Sequence, residues 1–348
     1  MTVDVDLVVL GGGPVGLGTA IEARLAGLAV AVLEPRRPPV DKAGGEGLMP
    51  SAVAALARLG VRAEGRPFHG IHYLTPGASA VARFGAGPGL GVRRTELSTA
   101  LWKRALDLGV LHVPARGSVP RPRGTAGGVT VEGGGVTVAA RWAVAADGLH
   151  SPTRRALGLD APVRGPARFG LRRHLRVPAW TDLVEVHWAA DAEAYVTPVG
   201  PDVVGVAVLG PAGVPFDTWP ERFPRLARRL AGAEPLGSVR GAGPLRQVAR
   251  RHVVGPVLLV GDAAGYVDAL TGEGIAIGLA CAREAVRCLV AGRPQDYEAG
   301  WRRATRRYRL LTGGLLAATR LPPVRRAVVP AAARLPWAFR GIVDQLGR

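Results

Sequence analysis

Three glycines and one glutamate near the start of the chain have the types and the spacing that bind a pyrophosphate and a ribose. Gly11, Gly13 and Gly16 follow the apolar run of residues 5–10, and Glu34 ends the next apolar run. In this spacing the first glycine permits a tight turn, the second lets the backbone approach a pyrophosphate, and the third lets a helix pack closely on a sheet. A carboxylate such as that of Glu34 accepts hydrogen bonds from ribose hydroxyls.

The elements around these residues must be a strand, a helix and a second strand. Residues 5–10 predict the first strand, residues 17–26 the helix, and residues 29–33 the second strand. The helix N-terminus adds free N–H groups and the positive end of a dipole beside the glycine turn. A glycine pattern alone is weak, but strand, turn, helix, strand and acid in this order predict a dinucleotide-binding βαβ unit over residues 3–34.

Two later segments repeat the pattern of a buried strand that ends on an aspartate and small residues. Asp147-Gly148 follows the apolar run 142–146, and Gly261-Asp262 follows the apolar run 256–260. Ligands bind at the carboxyl edge of the strands in open α/β sheets. Each aspartate could instead cap the helix that follows it, but two such segments after a complete dinucleotide pattern favour a shared bound cofactor.

The formal net charge is +18, but its distribution does not predict a nucleic-acid partner. Lys42 and Lys103 are the two lysines, so nearly all the positive charge is arginine, and no segment interleaves aromatic and basic residues as a base-stacking surface does. Residues 301–348 contain eleven arginines and one acid, Asp344. That segment is expected to be a solvated helical cap or, alternatively, a surface in peripheral contact with an anionic membrane.

The two cysteines, Cys281 and Cys288, lie seven positions apart and form no CxxC pair. Without neighbouring ligand residues they predict neither a metal site nor a disulfide framework, so we expect them to pack in the core. The N-terminal residues lack the charged region and the cleavage site of a signal peptide, and no stretch of about 18 apolar residues is free of Arg or Pro, as a membrane span would be. We therefore expect a soluble, cytoplasmic protein.

Local patterns between the three motifs predict further elements. Residues 95–108 have helical apolar spacing with Thr95 as the cap, and residues 165–252 contain alternating runs separated by Pro and Gly, which predicts an antiparallel sheet. The other predicted elements are strands at 129–132, 136–140 and 142–146 and helices at 217–231 and 272–291. Pieces of one domain therefore flank an inserted antiparallel segment, which implies two domains with a cleft between them.

Together, the glycine pattern, Asp147-Gly148 and Gly261-Asp262 resemble the flavoprotein family of p-hydroxybenzoate hydroxylase and geranylgeranyl reductase over residues 3–290. The resemblance implies that the first motif holds the ADP half of FAD, that Asp147 lies near the pyrophosphate and the flavin edge, and that Asp262 binds the ribityl chain. Arg94, or its neighbour Arg93, matches the arginine that contacts the cofactor phosphates. The implied cofactor-binding residues are Gly11, Gly13, Pro14, Gly16, Glu34, Arg94, Asp147, Gly148, Gly261, Asp262, Gly272 and Gly274.

With this resemblance the chain is expected to have an α/β fold, with a Rossmann-like FAD-binding domain, an inserted antiparallel-sheet substrate domain and a helical C-terminal extension. The substrate would meet the flavin in the cleft between the first two domains. The expected ranges are 1–65, 91–164 and 253–300 for the discontinuous FAD-binding domain, 66–90 and 165–252 for the substrate domain, and 301–348 for the extension.

Two segments resemble the geranylgeranyl-reductase-like branch, namely the loop at residues 41–50 and the stretch at residues 261–274. The chain departs from the family pattern at three positions. Gly44 stands where the loop often has Cys, Gly265 where aromatic hydroxylases often have His, and Ala269 where many relatives have Pro. The first departure weakens a reductase mechanism that needs a thiol, and the second weakens assignment to the common phenol hydroxylases.

No second glycine pattern for a stably bound nicotinamide cofactor is found, because residues 241–244 lack both the third glycine and the strand–helix setting. We therefore expect FAD as the bound cofactor and NADPH or NADH as a transient reductant. Substrate contacts are expected from the inserted sheet, with ordinary sheet packing as the alternative for each residue. The candidate substrate contacts are His174, His187, Trp188, Tyr195 and Thr197. The catalytic residues are not determined, and the candidates for that role are Glu46, His187 and Tyr195.

These observations favour a FAD-dependent monooxygenase or hydroxylase that acts on a hydrophobic small molecule of phenolic or polyketide-like character. The alternative is a geranylgeranyl-reductase-type ene-reductase of isoprenoid double bonds. A third interpretation is a flavin- or lipid-binding protein without turnover. Both enzyme classes need a dry apolar pocket beside the flavin, because the flavin supplies the chemistry and the protein supplies position and electrostatics.

Overall fold

A computed structural model describes residues 1–44, 46–124 and 127–347. Gly45 of the loop at 41–50 and Arg348 of the C-terminal extension lie outside the described residues, as do Thr125 and Ala126. The described residues form a mostly parallel sheet covered by helices, a second sheet beside it, and helices at the C-terminal end. The mixed α/β fold and the helical extension expected from the sequence are thus present.

The first sheet places all three motifs at one edge. Its strands are β1 (Thr2–Leu10), β2 (Val30–Leu33), β8 (Leu111–Val113), β9 (Arg121–Pro122), β10 (Val129–Gly133), β11 (Val136–Ala145), β18 (Val253–Val254) and β19 (Val257–Leu259). Their order in the sheet is β18-β19-β11-β1-β2-β8, and β10 and β9 continue from β11. β19, β11, β1, β2 and β8 run parallel. Leu10 is in register with Leu33 and Ala145, and Ala145 with Leu259. The carboxyl ends of these four strands therefore meet.

The predicted βαβ unit is confirmed. β1, α1 (Pro14–Leu25) and β2 follow one another, and β1 pairs with β2 in parallel. The helix begins three residues earlier than predicted, because proline at the first helical position has a suitable fixed φ and lacks the N–H that would have no partner there. Ile21 of α1 is buried in the core, and a Cβ at Gly18 would collide with Leu279 of α6 (Gly274–Val290).

Other helices flank the first sheet, and three details differ from the sequence predictions. The helices are α2 (Pro50–Arg58), α3 (Arg94–Asp107) and α4 (Pro152–Ala156). Thr95 does not cap α3, because the N-cap position is Arg93. The strands predicted at 136–140 and 142–146 are one strand, β11, whose first half pairs with β10 and whose second half pairs with β19. α6 begins at Gly274, and both cysteines are buried on it.

The second sheet is built from two distant segments of the chain. Its order is β16-β12-β15-β14-β13-β5-β6, and the strands are β5 (Gly70–Leu74), β6 (Ser79–Arg83), β12 (Phe169–Arg176), β13 (Val184–Trp188), β14 (Glu193–Pro198), β15 (Val203–Gly210) and β16 (Glu234–Ala242). Neighbouring strands are antiparallel except β13 and β5, which are parallel. The sequence predicts antiparallel pairing alone. The parallel pair forms because β5 reaches β13 through a long connection and not through a hairpin.

Smaller elements join the two sheets. One small sheet contains β3 (Gly47–Leu48), β4 (Arg66–Phe68) and β7 (Gly89–Gly91), and another contains β17 (Gln247–Val248) and β20 (Gly265–Tyr266). The helix predicted at 217–231 is divided into a 3-10 helix, Phe216–Glu221, and α5 (Pro224–Arg229). Pro220 and Pro224 cause this division, because proline lacks a backbone N–H and clashes with the preceding turn of an α-helix.

The C-terminal extension packs on the second sheet. It consists of α7 (Tyr297–Thr319), α8 (Pro322–Arg334) and α9 (Pro336–Gly347). α8 and α9 contact β6, and Val329, Phe339 and Val343 are buried in an apolar cluster with Phe68 and Tyr73. In the part of the chain that the structure describes, the helices are too short or too polar to cross a membrane.

Candidate functional site

The turn after β1 brings backbone to the edge of the first sheet. Gly11 has φ +105°, and a Cβ there would lie 2.5 Å from the carbonyl oxygen of Ala146. A Cβ at Gly16 would collide with the carbonyl oxygen of Gly11, so only glycine allows the helix and the turn to approach this closely. The space in front of Gly13 is open, since the nearest atom to a Cβ there would be Lys42 Nζ at 4.0 Å. The turn can therefore receive a pyrophosphate against its N–H groups.

Glu34 lies at the end of β2 and is buried beside this turn. Its Oε2 accepts the N–H of Gly12 at 3.0 Å, and Arg36 donates to Oε1 at 2.7 Å and to Oε2 at 3.1 Å. Burial by itself raises the pKa of Glu34, but the hydrogen bonds from Arg36 and Gly12 outweigh it and hold the pKa below its usual value. The carboxylate is therefore ionised and fixed in place, as an acceptor for ribose hydroxyls must be.

Two partly buried cations face the glycine turn, Lys42 in the loop after β2 and Arg94 at the start of α3. Both line one cavity with Gly13 and Asp262. Burial lowers the pKa of both groups, and the charge of Arg36 lowers that of Lys42 further. Among the described residues neither cation has a carboxylate at ion-pair distance, and the first turn of α1 contains no acid. The cavity therefore holds positive charge that an anionic pyrophosphate would neutralise.

The Asp147-Gly148 segment follows β11. Asp147 Oδ2 accepts the N–H of Thr153 at 3.1 Å, and Ser151 caps α4 by accepting the N–H of Arg154 at 2.9 Å. Asp147 Oδ2 therefore caps the first turn of the following helix, which is the role that the sequence left as an alternative to cofactor binding. Asp147 Oδ1 is buried and has no hydrogen-bond partner within the described ranges, which leaves an acceptor for a ligand donor. Gly148, at φ +92°, lines the cavity.

Asp262 lies in the 3-10 helix Gly261–Ala264, directly after β19, and lines the same cavity. Burial raises the pKa of its carboxyl, and the charges of Arg94, Lys42 and Arg154 oppose that shift. The buried Arg154 fixes the backbone here, because its Nη1 donates to the carbonyl oxygens of Asp262 at 3.3 Å and of Ala263 at 3.1 Å. A carboxylate and two cations from distant segments therefore share one cavity.

The structure brings most of the predicted cofactor residues to this cavity. Those that line it are Gly13, Pro14, Arg94, Gly148, Asp262, Gly272 and Gly274. Those that instead shape or hold the turns around it are Gly11, Gly16, Glu34, Asp147 and Gly261. Arg94 lines the cavity and Arg93 is exposed, which distinguishes the two arginines that the sequence left open. Sequence reasoning missed Lys42, although its place in the loop at 41–50 was a usable signal.

The cavity extends from the cofactor residues to the second sheet, where it becomes apolar. Its volume is about 380 Å³, within the range of small-molecule sites. Tyr195 and Thr197 line this part, and the Tyr195 hydroxyl donates to the carbonyl oxygen of Leu270 at 2.9 Å. Burial raises the pKa of Tyr195 well above its usual value. The apolar lining residues are Met49, Phe68, Ile71, Val184, Val186, Leu209 and Leu270.

His187 lies on the other face of the second sheet. Val184 and Val186 line the cavity, so the alternate residues Glu185 and His187 point away from it. His187 Nε2 and Glu185 Oε2 form a buried pair at 3.0 Å. The structure therefore does not place His187 against a substrate in this cavity. Trp188 shares the face of β13 that bears Val184 and Val186 and is buried in the same apolar cluster, but it does not line the cavity.

Glu46 and His174 form a buried pair that does not line the cavity. Glu46 Oε2 lies 2.6 Å from His174 Nε2, and Glu46 Oε1 accepts the N–H of Arg94 at 3.0 Å. Arg172, which does line the cavity, donates to His174 Nδ1 at 3.0 Å and contacts Asp41. These contacts join the loop at 41–50 to β12, so Glu46 and His174 fix the position of that loop.

The chain belongs to the FAD binding domain family, whose sequence model matches residues 4–292. It is 31% identical to menaquinone reductase from Mycolicibacterium smegmatis, over 86% of this chain and 80% of that protein. It is 29% identical to digeranylgeranylglycerophospholipid reductase 2 from Methanothermobacter thermautotrophicus, over 86% of this chain and 83% of that protein. A third relative, dialkyldecalin synthase from Streptomyces rugosporus, is 30% identical over 78% of this chain and 62% of its own length.

Solved structures share the fold. The flavin-dependent brominase Bmp2 superposes with a TM-score of 0.80 at 18% identity, over 99% of this chain and 94% of that one. The Diels-Alderase PyrE3 superposes with a TM-score of 0.79 at 24% identity, over 98% of this chain and 80% of that one. At these identities the likeness concerns the fold alone. The protein is a FAD-binding flavoprotein, as the resemblance of its motifs implies.

The cavity fits FAD on its own features. The space in front of Gly13 is open, Lys42 and Arg94 supply positive charge without an ion-pair partner among the described residues, and Asp147 Oδ1 is an acceptor without a partner there. A flavin dinucleotide has an anionic pyrophosphate, which the Gly13 turn and the two cations complement. It also has hydroxyl groups, which can donate to a free acceptor such as Asp147 Oδ1.

Proposed function

We propose that this chain is a FAD-dependent reductase that saturates a carbon–carbon double bond in a lipophilic isoprenoid molecule. The continuity of the cofactor residues with an apolar cavity that offers few polar groups supports a flavin enzyme with a lipophilic substrate, and the named relatives favour reduction over hydroxylation. Two relatives support it, because menaquinone and digeranylgeranylglycerophospholipid, the molecules in their names, both contain isoprenoid chains. This changes the preference drawn from the sequence, which favoured a monooxygenase.

Residues of this chain would hold the cofactor by charge and by backbone groups. The Gly13 turn, Lys42 and Arg94 would bind the pyrophosphate, Glu34 the ribose and Asp262 the ribityl chain. When bound and reduced by NADPH or NADH, the flavin would supply the hydride for the double bond. The apolar walls exclude water from the place where this happens, which strengthens every electrostatic contact there.

Tyr195 is the proposed proton donor to the substrate. Tyr195 belongs to the cavity wall, and its hydroxyl is oriented by donation to the carbonyl oxygen of Leu270 at 2.9 Å. Because burial raises the pKa of Tyr195 well above its usual value, the hydroxyl is protonated throughout the ordinary pH range. Saturation of a double bond requires one proton beside the hydride, and this group can deliver it to a molecule in the cavity and recover it from solvent.

NADPH or NADH is the proposed reductant and would bind transiently. Gly241 belongs to β16, and Gly243 follows that strand at φ +152° in a turn that leads to no helix. This segment therefore lacks the strand–turn–helix setting that holds a dinucleotide. A reductant without its own Rossmann unit is consistent with short-lived binding near the flavin.

Hydroxylation of a hydrophobic small molecule is the second candidate function. The loop at 41–50 contributes no thiol, because Gly44 stands where relatives of the reductase branch often have Cys. A Cβ at Gly44 would lie 3.8 Å from Arg94 Nε, so this position is close to a cavity-lining residue. A hydroxylase does not need that thiol, and it would consume O2 and NADPH or NADH.

Product analysis separates the two functions. The purified holoprotein is reduced chemically without O2 and mixed with menaquinone or with a geranylgeranyl lipid. We expect a product whose isoprenoid chain has gained two hydrogen atoms, which fragment masses locate there after any quinol has been reoxidised to the quinone in air. A product that has gained an oxygen atom, formed only in air with substrate-dependent O2 uptake, would establish the second candidate and overturn the first. A yellow holoprotein that gives neither product with any lipophilic alkene or phenol would overturn both.

Two tyrosine variants test the proton donor. Tyr195→Phe should lower the turnover number at least about 10-fold, since a general acid typically contributes that much or more. Tyr73→Phe is the matched control, because Tyr73 lines the same cavity and makes no hydrogen bond within the described ranges. Equal turnover in both variants would remove Tyr195 from this role.

A further inference from the structure

The C-terminal extension exposes large apolar side chains. Apart from Met1, the three most exposed ones among the described residues are Trp337 (75%), Leu310 (64%) and Leu321 (58%). Leu335 and Ile342 are exposed by 49% and 52%. Covering exposed apolar side chains with another apolar phase lowers the free energy. We define the C-terminal surface as Leu310, Leu321, Leu335, Trp337 and Ile342 together with the exposed Arg306, Arg326, Arg334 and Arg340.

The same surface is cationic. The ion pairs of residues 301–347 use Arg302, Arg303, Arg307 and Arg325, so within the described ranges the arginines of the C-terminal surface have no carboxylate partner. Asp344 is the acid of this segment, and it accepts the N–H of Gly85 at 2.9 Å. A solvated helix face normally mixes charges of both signs. Exposed arginines that alternate with exposed Trp, Leu and Ile along α7, α8 and α9 instead complement an anionic lipid surface.

The inner side of the extension is fixed to the cavity wall. Tyr308 donates to the carbonyl oxygen of Asp268 at 2.8 Å, and the hydroxyls of Thr312 and Thr271 are 3.0 Å apart. Thr271 lines the cavity. Phe339 of α9 belongs to the same apolar cluster as the cavity residues of β5. These contacts fix the C-terminal helices to the cavity wall. A partner bound to the C-terminal surface would therefore lie at a constant distance from the cavity.

We propose that the C-terminal surface docks peripherally on a lipid bilayer that contains anionic lipids. The arginines would lie at the headgroup phosphates, and Trp337, Leu310 and Leu321 would enter the interfacial layer. The family match ends at residue 292, so this surface belongs to a segment that the FAD binding domain model does not cover. The proposal goes beyond the proposed function and is tested without turnover.

Vesicle sedimentation with the full chain tests the docking. Vesicles of phosphatidylcholine alone are compared with vesicles that also contain phosphatidylglycerol. We expect the protein to sediment with the anionic vesicles at ~50 mM salt and to be released at ~0.5 M salt, where the screening length is only a few ångströms. A protein that stays in the supernatant with anionic vesicles at low salt would overturn the proposal.

A matched pair of charge variants tests the location of the surface. Changing Arg306, Arg326 and Arg340 to Gln should weaken binding to anionic vesicles at least about 10-fold, because each arginine near such a surface is attracted by the negative surface potential. Changing the exposed Arg62, Arg121 and Arg283 to Gln removes the same charge elsewhere and should alter binding less than about 3-fold. Equal losses would contradict the assignment of the surface.

Fluorescence quenching tests the apolar residues of the C-terminal surface separately from its arginines. Brominated lipid tails should quench the fluorescence of the wild type more than that of Trp337→Phe, because the Trp337 side chain would sit among them. Leu106→Ser, at a side chain of α3 that is 51% exposed, should leave binding unchanged, whereas Trp337→Ser should weaken it. A lipid-free dimer that Trp337→Ser converts to a monomer would identify the surface as a contact between two copies of the chain and overturn the proposal.

Discussion

Arg154 Nη1 lies 3.3 Å from the carbonyl oxygen of Asp262, although 108 residues separate the two in the chain. Arg154 is 2% exposed, and its Nη2 also donates to the carbonyl oxygen of Leu149 at 3.1 Å. One guanidinium therefore ties the turn after β11 to the turn after β19. Because Gly148 and Asp262 both line the cofactor cavity, Arg154 sets the distance between two sides of that cavity.

Arg154→Met should destabilise the protein strongly. The change retains an apolar stem but leaves several buried carbonyl oxygens and Asp160 without their donor. We expect the free energy of unfolding, measured by urea denaturation, to fall by about 3 kcal/mol or more. Arg155→Met is the control, because the Arg155 side chain is 69% exposed and lies 3.8 Å from the same Asp160. Similar losses in both variants would contradict this role of Arg154.

Lys42→Met should weaken FAD binding and leave the apoprotein folded. We expect the Kd for FAD, measured by fluorescence quenching, to rise about 10- to 100-fold, which corresponds to about 1.5–3 kcal/mol for a lost hydrogen bond to a charged group. The apoprotein should be no less stable than the wild type, because the variant removes a partly buried cation that has no carboxylate at ion-pair distance among the described residues. Lys103→Met is the control, because Lys103, the other lysine, is exposed. This variant should bind FAD with an unchanged Kd. An unchanged Kd in Lys42→Met would show that this ammonium does not face the pyrophosphate.

Glu273 predicts a pH dependence of stability. Burial raises its pKa to about 7 from 4.5, against the opposing charge of Arg307 at 3.8 Å, and Oε2 has no hydrogen-bond partner within the described ranges. Folding therefore favours the protonated carboxyl, so its contribution to the free energy of unfolding is full below about pH 4.5 and is lost as pH rises to about 7.

Glu273→Gln should remove the contribution of this carboxyl to the pH dependence of the free energy of unfolding. We expect the variant to exceed the wild type in stability by up to about 3 kcal/mol at pH 8, and to differ less at pH 5, in parallel thermal or urea denaturation. The comparison between variant and wild type cancels the titration of the other groups. A stability difference that stays constant or shrinks between pH 5 and pH 8 would contradict the shifted pKa.

Val186→Phe should affect substrate binding and not cofactor binding. Val186 lines the apolar part of the cavity, so the larger ring would occupy space that the substrate needs. We expect the KM for a lipophilic substrate to rise about 10-fold or more, with the Kd for FAD unchanged. Val81→Phe makes the same change at a residue of β6 that is 45% exposed, and it should alter neither constant. A parallel rise of KM in both variants would place the substrate elsewhere.

The βαβ unit and the meeting of the three motifs could be predicted because they depend on local spacing and on one rule about parallel strands. The order apolar run, glycine turn, helix and apolar run fixes β1, α1 and β2. Once Asp147 and Asp262 are each placed after a buried strand, parallel pairing brings them to the same edge.

Features that depend on distant packing could not be predicted. No local pattern indicates that β5 pairs in parallel with β13, or that Arg154 reaches the turn at Asp262. Alternation along β13 predicts two faces but not which face meets the cavity. His187 is therefore a candidate only because of its residue type, and the structure puts it on the face away from the cavity. Glu46 lies in the expected loop, but its pairing with His174 is a contact between distant segments.

The most direct test of the account is a measurement of flavin in the purified protein. The chain is purified without added cofactor, denatured, and the released small molecules are quantified by absorbance and mass spectrometry, while the apoprotein is titrated with FAD. The cavity formed by the Gly13 turn, Lys42, Arg94 and Asp262 predicts FAD at up to one molecule per chain, and recovery of that occupancy on titration. A colourless protein that takes up no FAD at tens of micromolar, with normal folding by circular dichroism, would contradict it.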